Sequence, residues 1–159
     1  MLREQEHVGL LIAAAQRGVK LAVGRHSRAL GLTSQQFWFL NATRELPGAS
    51  LGEIARRRHM DAPTASRLAD GLARRGLIRT APDDRDRRAV RVLLTSSGLR
   101  MAERIAPLAA SVRSAVVRGM SRRQQDALRA ALRRVVANVQ TFAAEVDPAE
   151  GRPRDGSHP

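Results

Sequence analysis

The chain contains no cysteine. Disulfides, thiol catalysis and thiolate metal sites are therefore excluded. It has no tyrosine, one tryptophan and three phenylalanines. Binding of single-stranded nucleic acid by base stacking, which needs aromatic platforms, is disfavoured. No stretch approaches the ~20 apolar residues that span a bilayer, so no membrane partner is expected. The N-terminus lacks the basic, apolar and small-residue pattern of a secretory signal, so a cytoplasmic protein is expected. Acid is scarce: 15 Asp and Glu face 28 Lys and Arg, for a net charge of +13. Lys20 is the only lysine, so the excess is almost entirely arginine. Such an excess points to a polyanionic partner, most commonly nucleic acid. At 159 residues the chain is long enough to bury a real core and makes about one domain.

Catalytic and metal signatures are also missing. There is no GxSxG, P-loop or GxGxxG pattern, so an enzyme is not expected. His7, His26, His59 and His158 form neither HExxH nor a paired helical spacing, so neither a metal nor a cofactor is expected.

What is present centres on residues 61–95. Asp61 is a good N-cap and Pro63 falls in the first turn, where a missing N–H costs nothing. Leu68 and Leu72 keep the helical period, and Gly76 supplies the stop. Residues 77–81 and 89–94 are strand-length apolar runs flanking PDDRDRR, a turn-rich and charged tip, which predicts a hairpin. A short helix followed by an arginine-tipped hairpin is the layout of a winged helix-turn-helix. Thr64, Ser66 and Arg67 lie near the start of the helix, where base edges and phosphates are met. Arginine grips guanine or phosphate with a planar fork. Arg85, Arg87 and Arg88 at the tip suit a minor groove, whose potential attracts guanidinium groups. Asp86 is expected to brace the Arg88 guanidinium through a charge-assisted bond. The alternative is a solvated hairpin of mixed charge.

Upstream, residues 4–25 predict a helix with Val8, Leu11, Ile12, Ala15, Val19, Ala22 and Val23 on one face. Thr33 with Gln36 forms a capping box for a helix reaching about Leu46. Pro47-Gly48 turns the chain. Ser50 with Glu53 repeats the box for a short helix to about Arg58, so 50–76 is the helix-turn-helix, with His59-Met60 in its turn. Arg56, Arg57 and Arg58 end that short helix, as phosphate contacts or a solvated face.

Downstream, Thr95 caps a long helix through Met101, Ile105, Leu108, Val112 and Val116. Pro107 is expected to interrupt it, with a kink near Arg104, and Gly119 to end it. Ser121 with Gln124 caps a last helix bearing Leu128, Leu132, Val135, Val139, Phe142 and Val146, a coiled-coil-like seam. Arg122, Arg123, Arg129, Arg133 and Arg134 form its solvent side. Residues 147–159 have nothing to bury and are expected to be disordered.

The run Asp83, Asp84, Arg85, Asp86, Arg87, Arg88, followed by Val90 to Leu94 and Thr95, resembles the wing of the MarR family of bacterial transcription regulators, Asp-x-x-Asp-Arg-Arg, a strand and Leu-Thr. Arg67 to Leu77 resembles the family's recognition helix. The resemblance covers roughly residues 5–145. It implies a mainly α fold with a small β-wing, a winged helix-turn-helix core plus terminal dimerisation helices. It divides the chain into an N-terminal dimerisation helix (1–30), the winged helix-turn-helix DNA-binding region (31–95), C-terminal dimerisation helices (96–146) and a tail (147–159). It implies a homodimeric repressor on double-stranded DNA, with Arg88 as the minor-groove arginine and Ser50 with the recognition-helix residues at the DNA. Without cysteine, the peroxide sensing of the family's cysteine-bearing branch is excluded. Family members bind small aromatic acids near the second helix, and Trp38 with Arg25, His26 or Arg44 is the matching candidate site for an aromatic carboxylate. The alternative for Phe37, Trp38 and Phe39 is core packing. The alternative for the terminal helices is an intramolecular bundle. The alternative function is a nucleoid-associated or RNA-binding protein without sequence specificity, which a specificity ratio against random duplex separates.

Overall fold

The computed structural model describes residues 7–83, 86 and 88–146. Six helices and one two-stranded sheet follow in the order α1 (Val8–Ala29), α2 (Ser34–Glu45), α3 (Leu51–Arg57), α4 (Ala62–Arg74), β1 (Ile78–Pro82), β2 (Val90–Leu94), α5 (Ser96–Val116) and α6 (Arg122–Val146). The chain divides into two compact units, one through Val116 and one from Val117.

Local chemistry sets the helix starts. Thr33 and Gln36 form a reciprocal capping box on α2, and Ser50 and Glu53 form one on α3. Asp61 Oδ1 accepts the Thr64 N–H at 2.6 Å and opens α4. Each box satisfies two N–H groups that the helix leaves orphaned. Gly76 stops α4 at φ 65°, donating to Ala73 O, while Leu77 N–H reaches back to Leu72 O. Only a residue without Cβ takes that left-handed position cheaply.

The core of the first unit is built from Val23, Leu32, Phe37, Phe39, Leu40, Ile54, Leu72, Val92 and Ile105, all at most 2% exposed. Phe37 and Phe39 are thus core, as one of the two sequence readings had it. Of the expected α1 face only Val23 is buried; Val8 and Leu11 stay exposed in this unit. α1 also runs past Gly24 to Ala29, because Gly24 and Ser27 are themselves buried there. Residues 4–6 of the expected helix lie outside the described residues.

α5 corrects a second expectation. Pro107 does not interrupt it; the helix is continuous from Ser96 to Val116. Pro107 sits on the exposed side, where solvent can satisfy the carbonyl that loses its helical donor. The helix ends at Val116 rather than at Gly119, which stands at φ 80° in the following turn.

β1 and β2 pair antiparallel, with Ile78 opposite Leu94 and Pro82 opposite Val90. The hairpin gains a single β-bridge to the start of α3 that the sequence did not announce. Ser50 bridges Arg91, and Val92 N–H donates to Ala49 O at 3.0 Å. At the other end, Gly98 of α5 lies against the backbone of Leu77: a Cβ there would come within 1.7 Å of Leu77 O. Thr95 completes this joint. Its N–H donates to Leu77 O at 3.1 Å, its hydroxyl donates to Gly76 O at 2.6 Å, and it accepts from Gly98 N–H at 3.0 Å.

In the second unit, α6 opens on a capping box of Ser121 and Gln124. None of its residues is buried. Val139, Phe142 and Val146 are each 59% exposed or more.

Candidate nucleic-acid interface

α3, its turn and α4 make a helix-turn-helix. His59 takes the turn at φ 49°. α4 turns Ala65, Leu68, Ala69 and Leu72 into the core and leaves Pro63, Ser66, Arg67, Asp70 and Arg74 exposed. That is one buried stripe and one outward ridge at helical period. Arg67 is not free to wander: its Nη2 donates to Thr64 Oγ1 at 3.2 Å. The Asp61 carboxyl is held below its usual range, first by the Thr64 backbone N–H and then by the Thr64 side chain, with Arg67 adding to it.

A groove of about 1120 Å³ runs between α3, the start of α4 and the wing. Ser50, Ala62, Ala65, Asp86 and Arg88 line it together. Thr64, Ser66 and Arg67 are not in its lining, so the ridge residues and the groove residues offer two adjoining surfaces rather than one cleft. The groove mixes signs, with Arg56, Arg88 and Arg91 against Glu45, Glu53, Asp83 and Asp86. Glu53 is already spent on α3: the backbone and then the side chain of Ser50 bond to it and lower its pKa. Ser50 Oγ, for its part, accepts the Glu53 N–H at 3.2 Å, so its hydroxyl is engaged with Glu53 as both acceptor and donor.

The wing turn is built on Asp side chains. Asp86 N–H donates to Asp83 Oδ1 at 3.2 Å, and Arg88 N–H donates to Asp86 Oδ1 at 2.9 Å. The contact found between Asp86 and Arg88 is therefore to the backbone, an Asx turn that shapes the tip, instead of the expected bond to the guanidinium. Arg88 is exposed. Arg85 and Arg87 lie outside the described residues.

The MarR family profile matches residues 30–89 of this sequence. That match, together with the likeness of most of the chain to solved MarR-family structures, supports a MarR-family DNA-binding transcription regulator. Its fold is that of solved members. It superimposes on BpsR of Bordetella bronchiseptica, whose DNA binding is regulated by 6-hydroxynicotinic acid, with a TM-score of 0.67 and 27% identity, covering 82% of this chain and 99% of that one. For the S. aureus MepR–DNA complex the TM-score is 0.72 with 20% identity, covering 85% and 99%. For a mutant E. coli MarR bound to operator DNA it is 0.66 with 22% identity, covering 80% and 92%. No curated protein matches the chain.

Within this fold, the candidate ligand residues come from two helices. Arg25 and His26 are exposed near the end of α1, and Trp38 and Arg44 are half-buried on α2. None of the four lines the groove. Trp38 meets Phe37 edge-on at 5.1 Å and 83°. Its other face carries Arg58, whose guanidinium carbon lies 5.2 Å from the ring centre, a cation–π distance. Arg58 was read from sequence as a phosphate contact or a solvated residue. Burial instead pushes its pKa down, Arg57 adds to that, and Glu45 opposes it.

Three further residues escaped sequence reasoning because their partners are remote in the chain. Arg75 donates to Gly31 O at 2.7 Å, tying α4 to the α1–α2 connector. Arg91 Nε donates to Gly48 O at 3.2 Å. Arg113 of α5 pairs with Glu45 of α2 at 2.7 Å, and Asn41 donates to the same carboxylate. No sequence pattern within one element signals these ties. Among the described residues no group of His, Asp and Glu could hold a metal, and no helix is long and apolar enough to cross a membrane.

Proposed function

We propose that the chain is a sequence-specific, homodimeric repressor that binds a pseudo-palindromic duplex, one α4 per half-site, with the wings flanking. The observation that carries this reading is the pairing of an exposed ridge on α4 with an adjoining groove that ends at the exposed Arg88 on the wing. A recognition helix in the major groove and an arginine beside it in a minor groove need that juxtaposition. The net charge of +13 supplies the sequence-independent part of the affinity. The division of labour follows: Arg67 and Ser66 at base edges, Thr64 and Ser50 beside them, and Arg88, on a turn shaped by Asp86, at the minor groove, a role the sequence also offers to Arg85 and Arg87. Dimerisation by residues 1–30 and 96–146 is supported by the exposed apolar residues of α1 and α6, Leu10, Leu11, Val139 and Phe142 among them. Residues 147–159 are left as a tail outside both functions. A cytoplasmic location goes with this role.

Selection of bound sites from random duplex DNA tests the reading. A two-fold-related motif is expected, with affinity for it at least about a thousandfold above random duplex. Uniform binding to every duplex, or equal binding to RNA, overturns it in favour of a nucleoid-associated or RNA-binding protein.

We also propose release by a small aromatic carboxylate near Trp38, with Arg44, Arg25 and His26 as the basic neighbours. The half-buried Arg44 has a buried Nε with no partner, and 6-hydroxynicotinic acid, which regulates DNA binding of BpsR, is of this chemical class. Trp38 is the only tryptophan, so its fluorescence reports on this region. Saturable quenching by an aromatic acid, with loss of DNA affinity over the same concentration range, is the expected result. A broad panel that moves neither signal overturns it.

A further inference from the structure

The wing carries its DNA-facing arginine on a hairpin of two five-residue strands, and a two-stranded hairpin is only marginally ordered by itself. Something must fix its angle to the helix-turn-helix. Backbone bonds from Val92 to Ala49 and from Thr95 to Leu77 hold its root, and one side chain adds to them. Arg91 leaves β2 three residues after Arg88 and lies half-buried across the turn between α2 and α3. Its Nε donates to Gly48 O at 3.2 Å. Its backbone forms the bridge to Ser50, the N-cap of α3. Gly48 stands at φ 74°, and a Cβ there would come within 2.8 Å of Arg91 Nη2. The guanidinium therefore lies against a turn whose positive φ favours glycine.

We propose that Arg91 is a positioning residue for the wing: its clasp on the Gly48 carbonyl sets the separation between Arg88 and α4 before DNA arrives. The proposal rests on the reading of Arg88 as a DNA contact. Arginine suits the role, since one planar group can bond a carbonyl and pack flat on bare backbone at once. A wing fixed beforehand does not lose its freedom on binding, and preorganisation of this kind appears as affinity. The same guanidinium lines the groove, so direct contact with a phosphate is the competing role.

A double-mutant cycle separates the two, using the full-length chain and the duplex that the wild type selects from a random pool. Arg91→Met is expected to weaken binding about three- to tenfold through lost preorganisation. In an Arg88→Ala background the same change should cost less than about twofold, because the positioned group is gone. Gly48→Ala keeps the Arg91 charge, strains a turn held at φ 74° and meets Arg91 Nη2, so it should weaken binding at least as much as Arg91→Met does. Circular dichroism and thermal unfolding check that each variant is folded. Should Arg91→Met not fold, Gly48→Ala and Arg91→Lys take its place in the cycle. Equal losses from Arg91→Met in both backgrounds, with a salt slope reduced by about one and Gly48→Ala without effect, overturn the proposal in favour of a phosphate contact. Unchanged binding by Arg91→Met where Arg88→Ala still weakens it overturns the clasp and leaves the wing reading intact. If Arg88→Ala itself changes nothing, the wing reading fails and the clasp falls with it.

Discussion

Gly98→Ala is the sharpest test of the joint that holds the wing to α5. The added methyl would sit 1.7 Å from Leu77 O and 2.8 Å from its carbonyl carbon, where real Cβ contacts stay beyond 3.0 Å. The obstacle is backbone, so no side-chain rotation relieves it. α5 and the start of the wing must part, and the parting acts on the hydrogen bonds of Thr95 to Leu77 O and Gly76 O. Overpacking of a tight contact costs about 1–3 kcal/mol, and two weakened hydrogen bonds add about 1–3 kcal/mol. Against this, alanine gains about 1 kcal/mol over glycine inside a helix. The net loss is about 1–5 kcal/mol, against the roughly 5–15 kcal/mol by which a domain is stable. Thermal unfolding followed by circular dichroism should show a midpoint lowered by roughly 2–20 °C. DNA affinity at a temperature where the variant is folded should fall too, because the displaced element is the wing. A variant as stable as the wild type, or more so, would show that helix propensity wins and that no such close approach exists.

Four other outcomes follow from the same geometry. Arg88→Ala should weaken DNA binding without altering sedimentation, and Asp86→Ala should reproduce part of that loss by opening the turn held at Arg88 N–H; unchanged affinity in both refutes the wing assignment. Arg67→Ala should cost about 1–3 kcal/mol on the selected duplex and much less on random DNA; an equal loss on both makes Arg67 a phosphate anchor. Leu132→Asp or Val139→Asp places a carboxylate in the proposed α6 seam and should abolish the dimer and DNA binding together, and a wild type that sediments as a monomer at micromolar concentration rules this out. Burial acts to raise the Glu45 carboxyl, but the bonds from Asn41 and Arg113 and the charges of Arg113 and Arg44 outweigh it and lower its pKa. The unfolded chain therefore binds that proton at higher pH than the folded one, so the stabilisation is present above the ordinary glutamate pKa and is lost as pH falls through the lowered value. Glu45→Gln should flatten the acid limb of the stability profile, and an unchanged limb removes Glu45 from that role.

What the sequence determined by itself is the local grammar. Capping boxes at Thr33, Ser50 and Ser121, the Asp61 cap and the Gly76 stop are interactions over three or four residues, so their partners can be read off the chain. The strands followed from apolar runs around a charged tip, and the family resemblance from the wing run ending at Thr95. What the tertiary structure decided are the relations between elements that share no local signal. Gly98 looks like a poor helix residue until Leu77 O is placed against it, and Arg91 looks like one more solvated arginine until Gly48 lies beneath it. Arg58 belonged to an arginine run and proved to cover Trp38. Pro107 was expected to break a helix that it merely faces outward from, because burial of Ile105, Ala109 and Val112 holds α5 together through the missing bond. Local pairs fix where elements begin and end; which arginine touches DNA and which braces the protein depends on distances across 43 or 44 residues of chain, and only the packed core sets those.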